Sequence, residues 1–155
     1  MAALFFIRDF AADTDPRYIV DSWQKSFLGV TKSNPRGRGP LAAMEWSTYF
    51  RAQKKVIDAI LSHPDTLVKV AAWDDDPAMV LGWCCSCPAR RLLHFLYVGG
   101  PYRQEGIGSA LMRACFVELG ERPIEATHWT GRLPFYRLRW KLEYNPFALY
   151  EVLCG

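Results

Sequence analysis

The sequence has little of what marks several specialised classes of protein. No stretch reaches the roughly 20 consecutive apolar residues of a membrane-spanning helix. The apolar opening, Met1 to Phe10, is interrupted by Arg8 and Asp9 and reads as a buried strand. The net charge is small: 19 Lys and Arg against 16 Asp and Glu leave +3, which is weak for a dedicated nucleic-acid binder. Internal repeats and low-complexity tracts are absent. The five cysteines, Cys84, Cys85, Cys87, Cys115 and Cys154, form an odd set with no secretory signal pattern ahead of them, so a reduced, cytoplasmic setting is expected and a disulfide framework is not. Cys84, Cys85 and Cys87 do not suit zinc either. Adjacent and i,i+2 positions alternate across a strand, and no second Cys or His pair stands at ligand spacing. They are expected in the core, and no metal is expected.

What is present is a foldable composition. Of 155 residues, 50% are hydrophobic, 14% aromatic and 23% charged, as in one globular domain. A chain of that length buries about two-thirds of its unfolded surface and needs no staple. Residues 1–86 carry 10 basic and 10 acidic side chains and residues 87–155 carry 9 and 6, so the positive excess lies wholly in the C-terminal part. That bias suits an anionic ligand there, or simply an Arg-rich solvated surface.

The hydrophobic pattern predicts a strand over Ala2 to Arg8, then a helix from about Arg17 to Phe27, started by Asp13 to Pro16. Thr31 to Pro40 (TKSNPRGRGP) is a loop carrying Lys32, Arg36 and Arg38. A second helix is expected from about Pro40 to Ser62. Thr66 to Trp73 and Ala78 to Cys87 read as a hairpin around Asp74-Asp75-Asp76-Pro77. The acidic trio there suits a cation or a solvated turn, and the turn is the simpler reading. Leu92 to Val98 is almost continuously apolar, as a central strand buried on both faces would be. Ser109 to Leu119 has helical spacing and ends at Gly120. Ile124 to Thr130 is a strand, Leu133 to Leu138 a short helical turn, and Leu142 to Leu153 one or two closing strands.

The chemistry is concentrated in Leu96 to Met112, LYVGGPYRQEGIGSALM. A buried strand that runs through a glycine-containing loop into a helix N-terminus makes an anion site, because unpaired amides and the helix dipole point at one spot. Gly106 and Gly108 leave the backbone accessible to a diphosphate. Two known phosphate loops do not fit. Gly108 is followed by Ser109-Ala110 where a Walker loop has Lys-Ser/Thr, and the dinucleotide fingerprint fails because Leu111 stands where its third glycine belongs.

The run Arg103-Gln104-Glu105-Gly106-Ile107-Gly108 resembles the coenzyme A loop of the GNAT acyltransferase superfamily: Arg or Gln, two variable residues, Gly, one variable residue, then Gly or Ala. The likeness extends to Tyr97-Val98 and Pro101-Tyr102 before it and to Ser109 through Met112 after it. Leu133 to Trp140 (LPFYRLRW) also resembles that family's Phe-Tyr helix and the strand entry after it, with Arg139 and Trp140 in place of the usual Gly and Phe.

That resemblance implies an α+β fold: a mixed, mostly antiparallel central sheet of about six or seven strands, flanked by about four helices and with splayed central strands. It implies a single domain over 1–155, with 1–91 forming the acceptor side and 92–155 the coenzyme A-binding and catalytic side. The amides from Gln104 through Glu105, Gly106, Ile107 and Gly108 to Ser109 would hold the diphosphate, with Arg103 at the loop's start. Leu96, Tyr97 and Val98 would line the pantetheine arm.

Three catalytic roles follow from the resemblance. Backbone amides at a bulge near Val98 and Gly99 would stabilise the oxyanion. Tyr136 matches the tyrosine that protonates the departing thiolate, although a core tyrosine is the alternative. His94 and His128, with ordinary pKa values of about 6.5, are candidate bases, and Glu125 is a further one. Trp23, Trp46, Tyr49 and Phe50 would wall the acceptor pocket, or else belong to the core. The activity implied is acetyl transfer from acetyl-CoA to a primary amine. The acceptor is a small molecule or, with Lys32, Arg36 and Arg38 engaged, a protein or nucleic-acid amine. A catalytically inactive coenzyme A-binding module stays open, as does a homodimer, and no membrane partner is expected.

Overall fold

The computed structural model describes residues 4–30, 32–116, 122–130 and 139–154. The chain runs β1 (Phe5–Asp9), α1 (Pro16–Leu28), α2 (Trp46–Ser62), β2 (Leu67–Trp73), β3 (Asp76–Cys87), β4 (Leu92–Val98), α3 (Ile107–Cys115), β5 (Ile124–Ala126), β6 (Leu142–Tyr144) and α4 (Ala148–Cys154). Among the described residues six strands form one sheet in sequence order. The first four pair antiparallel, whereas β5 is parallel to both β4 and β6. This is the mixed sheet with helices on both faces that the resemblance implies.

Each face has its own core. On one, α3 lays Ile107, Leu111, Met112 and Cys115 against Ala71, Leu81, Cys84 and Leu93. On the other, Ile19 and Trp23 of α1 and Ile57 and Ile60 of α2 cover Val68, Val70, Trp83, Cys85 and Phe95. Trp23, Trp83 and Phe95 pack ring on ring, with centroids 5.2 Å, 5.3 Å and 5.6 Å apart. The Trp83 indole donates to Ser22 Oγ at 2.9 Å, and that hydroxyl donates to the Tyr18 carbonyl at 2.7 Å, so the buried indole N–H is satisfied.

Helix starts follow local chemistry with one surprise each. Pro16 sits at the first position of α1, as its fixed φ favours, but the Asp15 carboxylate does not cap the helix. It faces Arg8 of β1 in a two-pronged pair at 2.7 Å and 2.9 Å and accepts from the Ala11 amide at 2.7 Å. The second helix begins later than the periodicity predicts. Pro40–Ala43 is a separate 3-10 turn, and α2 starts after Glu45, whose carboxylate accepts from the Ser47 and Thr48 amides.

Two expectations change at the C-terminal end. Leu142 to Leu153 supplies only three strand residues; the rest is α4, because Pro146 cannot extend a ladder and Ala148 and Val152 recur at i,i+4 to bury one face. The strand after Pro123 stops at Ala126 rather than Thr130. Leu133 to Leu138 and Gly120 lie outside the described residues. Cys84, Cys85, Cys87 and Cys115 are buried free thiols, as expected for core cysteines, and Cys154 is exposed. Asp74 and Asp75 form an exposed turn and Asp76, also exposed, opens β3; among the described residues no cluster of His, Cys, Asp and Glu suits a metal ion. No described helix is long and apolar enough to cross a membrane.

Candidate active site

The site begins with one extra residue. In the β3–β4 ladder Cys85 faces Phe95 but Ser86 faces Leu93, which leaves His94 as a bulge. On its other edge β4 pairs with β5 only at Leu92–Glu125 and Leu93–Ala126, with one further bond from the Thr127 amide to the Leu93 carbonyl at 3.0 Å. A bulge bends its strand and increases the twist. The bend falls where contact with β5 is lost, and from there the two strands part.

A cleft of about 890 Å³ opens in the gap. Leu93 to Val98 form one wall, Ala126 and His128 to Thr130 the other, and Ser26 to Val30 with Arg38 to Leu41 close the side next to α1. The loop before Pro40 is fixed there by the Arg38 amide, which donates to the Leu28 carbonyl at 2.8 Å.

At the C-terminal end of β4 the chain makes a short turn, Gly100–Tyr102, and enters α3. Gln104 and Gly106 have φ of 71° and 83°. Left-handed residues in such a turn draw successive amides to one side, and the first-turn amides of a helix have no partner within it. Gly106 is the helix N-cap, and a Cβ there would meet nothing within 4 Å, so the approach is open. A Cβ on Gly108 would stand 3.8 Å from Leu96 and 3.9 Å from Val98, which places the first turn of α3 directly over the unpaired half of β4. Arg103 Nε donates to the Val98 carbonyl at 3.0 Å and ties the loop to the strand.

Both predicted histidines reach this cleft. His94 is 1% exposed, His128 6%, and the hydroxyl of Thr127 lies between them, 3.0 Å from His94 Nδ1 and 2.9 Å from His128 Nδ1. Burial, and then the nearby charge of His63, lowers the His94 pKa to about 4. Burial, and then His94, lowers that of His128 to about 3, with the His94 backbone opposing. Both rings are therefore neutral near pH 7.

With this geometry in place, comparison with known proteins is decisive for the family. The profile of the acetyltransferase (GNAT) family matches residues 32–138. The chain belongs to the GNAT acetyltransferase family. Among solved structures, a candidate acetyl transferase from Pyrococcus furiosus shares the fold at 20% identity, with a TM-score of 0.58 over 87% of this chain and 91% of that one. A GCN5-related glucosamine N-acetyltransferase region of a fungal multi-domain β-N-acetylglucosaminidase shares it at 19% identity and a TM-score of 0.50, over 74% of this chain and 12% of that one. No protein of curated function matches the chain.

Several sequence expectations for a GNAT site come together here. Leu96, Tyr97, Val98, Arg103, His94 and His128 all line the cleft, and Gln104, Glu105, Gly106, Ile107, Gly108 and Ser109 follow at its mouth as the loop and first turn of α3. Tyr136 lies outside the described residues. Others do not come together. The bulge is at His94, not near Val98 and Gly99, and the Gly99 amide is already bonded to the Leu81 carbonyl at 2.8 Å. Glu125 sits in the β5 ladder away from the cleft lining. The expected aromatic wall is not one: Trp23 and Tyr49 are core, and Trp46 and Phe50 pack on each other outside the cleft. Tyr49 is held in place by its hydroxyl, which donates to the Gln24 carbonyl at 2.7 Å. The aromatic lining is instead Phe27, Phe95, Tyr97, Trp129 and Tyr144. Thr127 was not legible as a site residue, because a threonine beside a histidine has no distinguishing spacing.

Proposed function

We propose that this GNAT-family chain transfers an acetyl group from acetyl-CoA to a primary amine by direct attack of the amine on the thioester. One observation carries the reading: the half of β4 that β5 leaves unpaired runs straight into the Gly106-capped start of α3. A strand edge that β5 does not cover and the amides at the start of α3 are thus in line along one cleft. In this reading the amides from Gln104 to Ser109 hold the diphosphate, Arg103 braces the loop, and Leu96 to Val98 align the pantetheine arm.

The thioester then lies toward the bulge, next to His94. The amine attacks as the neutral base and must shed a proton as the bond to carbon forms; His94 and His128 are the imidazoles assigned to take it, and because burial makes both weak bases they hold it only in passing to water. Tyr136 is assigned the proton donated to the thiolate. The acceptor enters past Ser26 to Val30 and Arg38 to Leu41, which belong to the 1–91 side of the single domain. A cleft bounded on several sides favours a small amine.

Calorimetric titration with acetyl-CoA tests the donor, and coenzyme A release over a panel of polyamines, amino acids, aminoglycosides, peptides and amine-bearing DNA tests the acceptor. Binding with turnover on small amines is expected. Turnover only on peptides or DNA would move the acceptor to a macromolecule, binding without turnover would leave a coenzyme A-binding module, and absence of binding would refute the assignment. Tyr136→Phe should lower kcat with little change in acetyl-CoA affinity.

A further inference from the structure

Resting on the acyl-transfer reading above, we propose that the acceptor is a small amine that also carries an anionic group, a carboxylate or a phosphate, and that Arg38 binds that group at the side of the cleft next to α1.

The charges of the cleft point that way. Its described lining holds two arginines, Arg38 and Arg103, and no Asp or Glu. Arg103 is committed to the donor end, where its Nε donates to the Val98 carbonyl beside the loop assigned to the diphosphate. A bound donor offsets the charge there. Arg38 stands apart from that loop, on the side formed with Ser26 to Val30. It is exposed, and its guanidinium has no hydrogen bond or ion pair among the described residues.

A primary amine reaches the site largely as an ammonium at pH 7. In a cleft that offers arginine and no carboxylate, a polyamine or an aminoglycoside brings several charges of the wrong sign and finds no counter-charge for them. An acceptor with its own anion cancels the ammonium charge on entry. Its anion then meets the planar fork of a guanidinium, whose donors match the oxygens of a carboxylate or a phosphate two at a time.

The arginine is also held in place, which sets it apart from its neighbours in the loop. The last turn of α1 closes on Gly29, left-handed at φ 75°, where the Gly29 and Val30 amides return to the Ser26 and Lys25 carbonyls at 3.1 Å and 2.9 Å. The loop folds back onto this end. The Arg38 amide donates to the Leu28 carbonyl at 2.8 Å, and a Cβ on Gly29 would stand 3.4 Å from the Arg38 Cβ. Gly37 permits the approach: it is left-handed at φ 84°, and a Cβ there would come within 2.5 Å of the Leu28 carbonyl oxygen. Gly29 and Gly37 thus act as a latch on the backbone of Arg38, while Lys32 and Arg36 of the same loop are exposed and outside the cleft lining. A cation whose backbone is already fixed loses less freedom on binding an anion.

Paired acceptors test this: an amino acid against its amide, and aminoethyl phosphate against aminoethanol, with spermidine as the polyamine. In the unsubstituted chain at least one anionic member should exceed its neutral partner about tenfold in kcat/KM, and which pair does so separates carboxylate from phosphate. Arg38→Gln should erase the preference through the acceptor KM, with kcat and the KM for acetyl-CoA within about twofold, and Arg38→Lys should restore part of it. Equal turnover of neutral and anionic partners, or preference for spermidine, would overturn the proposal. So would a rise in the acetyl-CoA KM alone in Arg38→Gln, which would put the guanidinium on the donor. If the chain turns over no amine, the acyl-transfer reading fails. Calorimetric titration with the same pairs, with and without coenzyme A, then decides the anion site by itself: tighter binding of the anionic member, lost in Arg38→Gln, supports it, and no difference refutes it.

Discussion

Two glycines in one loop have opposite duties. Gly106 is left-handed, with φ of 83°, so a side chain there is strained even though its Cβ would meet no atom within 4 Å. Gly108 lies inside α3, and its added Cβ would make ordinary contacts with Leu96 and Val98. Gly106→Ala should therefore lower the unfolding free energy by about 1 kcal/mol, and Gly108→Ala should raise it by about 0.5–1 kcal/mol through helix propensity. Urea unfolding of both variants checks this, and effects of the same sign would contradict the loop geometry. Both glycines were readable from the sequence as the entry to a helix because they stand at fixed spacing after a buried strand. His94 and His128 were readable only as candidates, since imidazole chemistry is a property of the residue while its placement depends on the sheet. The exchange of Trp23 for Phe27 in the cleft wall depends on the rotation of α1, which spacing alone does not settle.

Among the elements, β1 and α1 are joined by the Arg8–Asp15 pair, in which the carboxylate side chain is 3% exposed and the guanidinium 18%. Burial works against the Asp15 charge, but the Arg8 and Ala11 hydrogen bonds prevail and hold its pKa below the ordinary 3.8. Asp15→Ala leaves the guanidinium its bonds to the Pro77 and Asp9 carbonyls but removes its counter-charge, and should cost about 2–3 kcal/mol in chemical unfolding at pH 7. With a lowered pKa the contribution is present above pH 3.8 and fades as the pH falls through the folded value, so the difference between the two proteins should shrink in acid. The strands β2 to β4 were legible because β-branched and apolar runs lie between turn residues. The bulge was not. Leu93 and Leu96 both face the α3 side while Phe95 and Tyr97 face α1 and α2, but in a strand apolar on both faces no break in alternation reveals the inserted residue. The α4 segment was misread for a related reason: seven residues fit strand and helix periods about equally until Pro146 is seen to stop the ladder.

For the molecule as a whole, burying two neutral histidines sets its acid response. The folded rings bind protons less well than the ordinary 6.5, down to about 4 and about 3, so between those values the unfolded chain holds more protons and stability falls as the pH falls. Each histidine adds at most about 1.4 kcal/mol per pH unit to that slope. Replacing His94 with Gln should flatten the decline between pH 6.5 and 4 in a thermal-melt series, and an unchanged slope would show that carboxylates alone govern it. The parting of β4 from β5 has another consequence. A sheet of six strands in one row has two outer edges, on β1 and β6, and the gap adds two inner ones. Unpaired strand edges are where foreign strands attach and aggregates start. A donor lying along β4 would cover one inner edge, so its effect should be visible as colloidal behaviour: on warming, light scattering from the protein should rise earlier without acetyl-CoA than with it. If the proposed cosubstrate lies in this opening, the opening is also the protein's weakest point in storage and the cosubstrate its protectant.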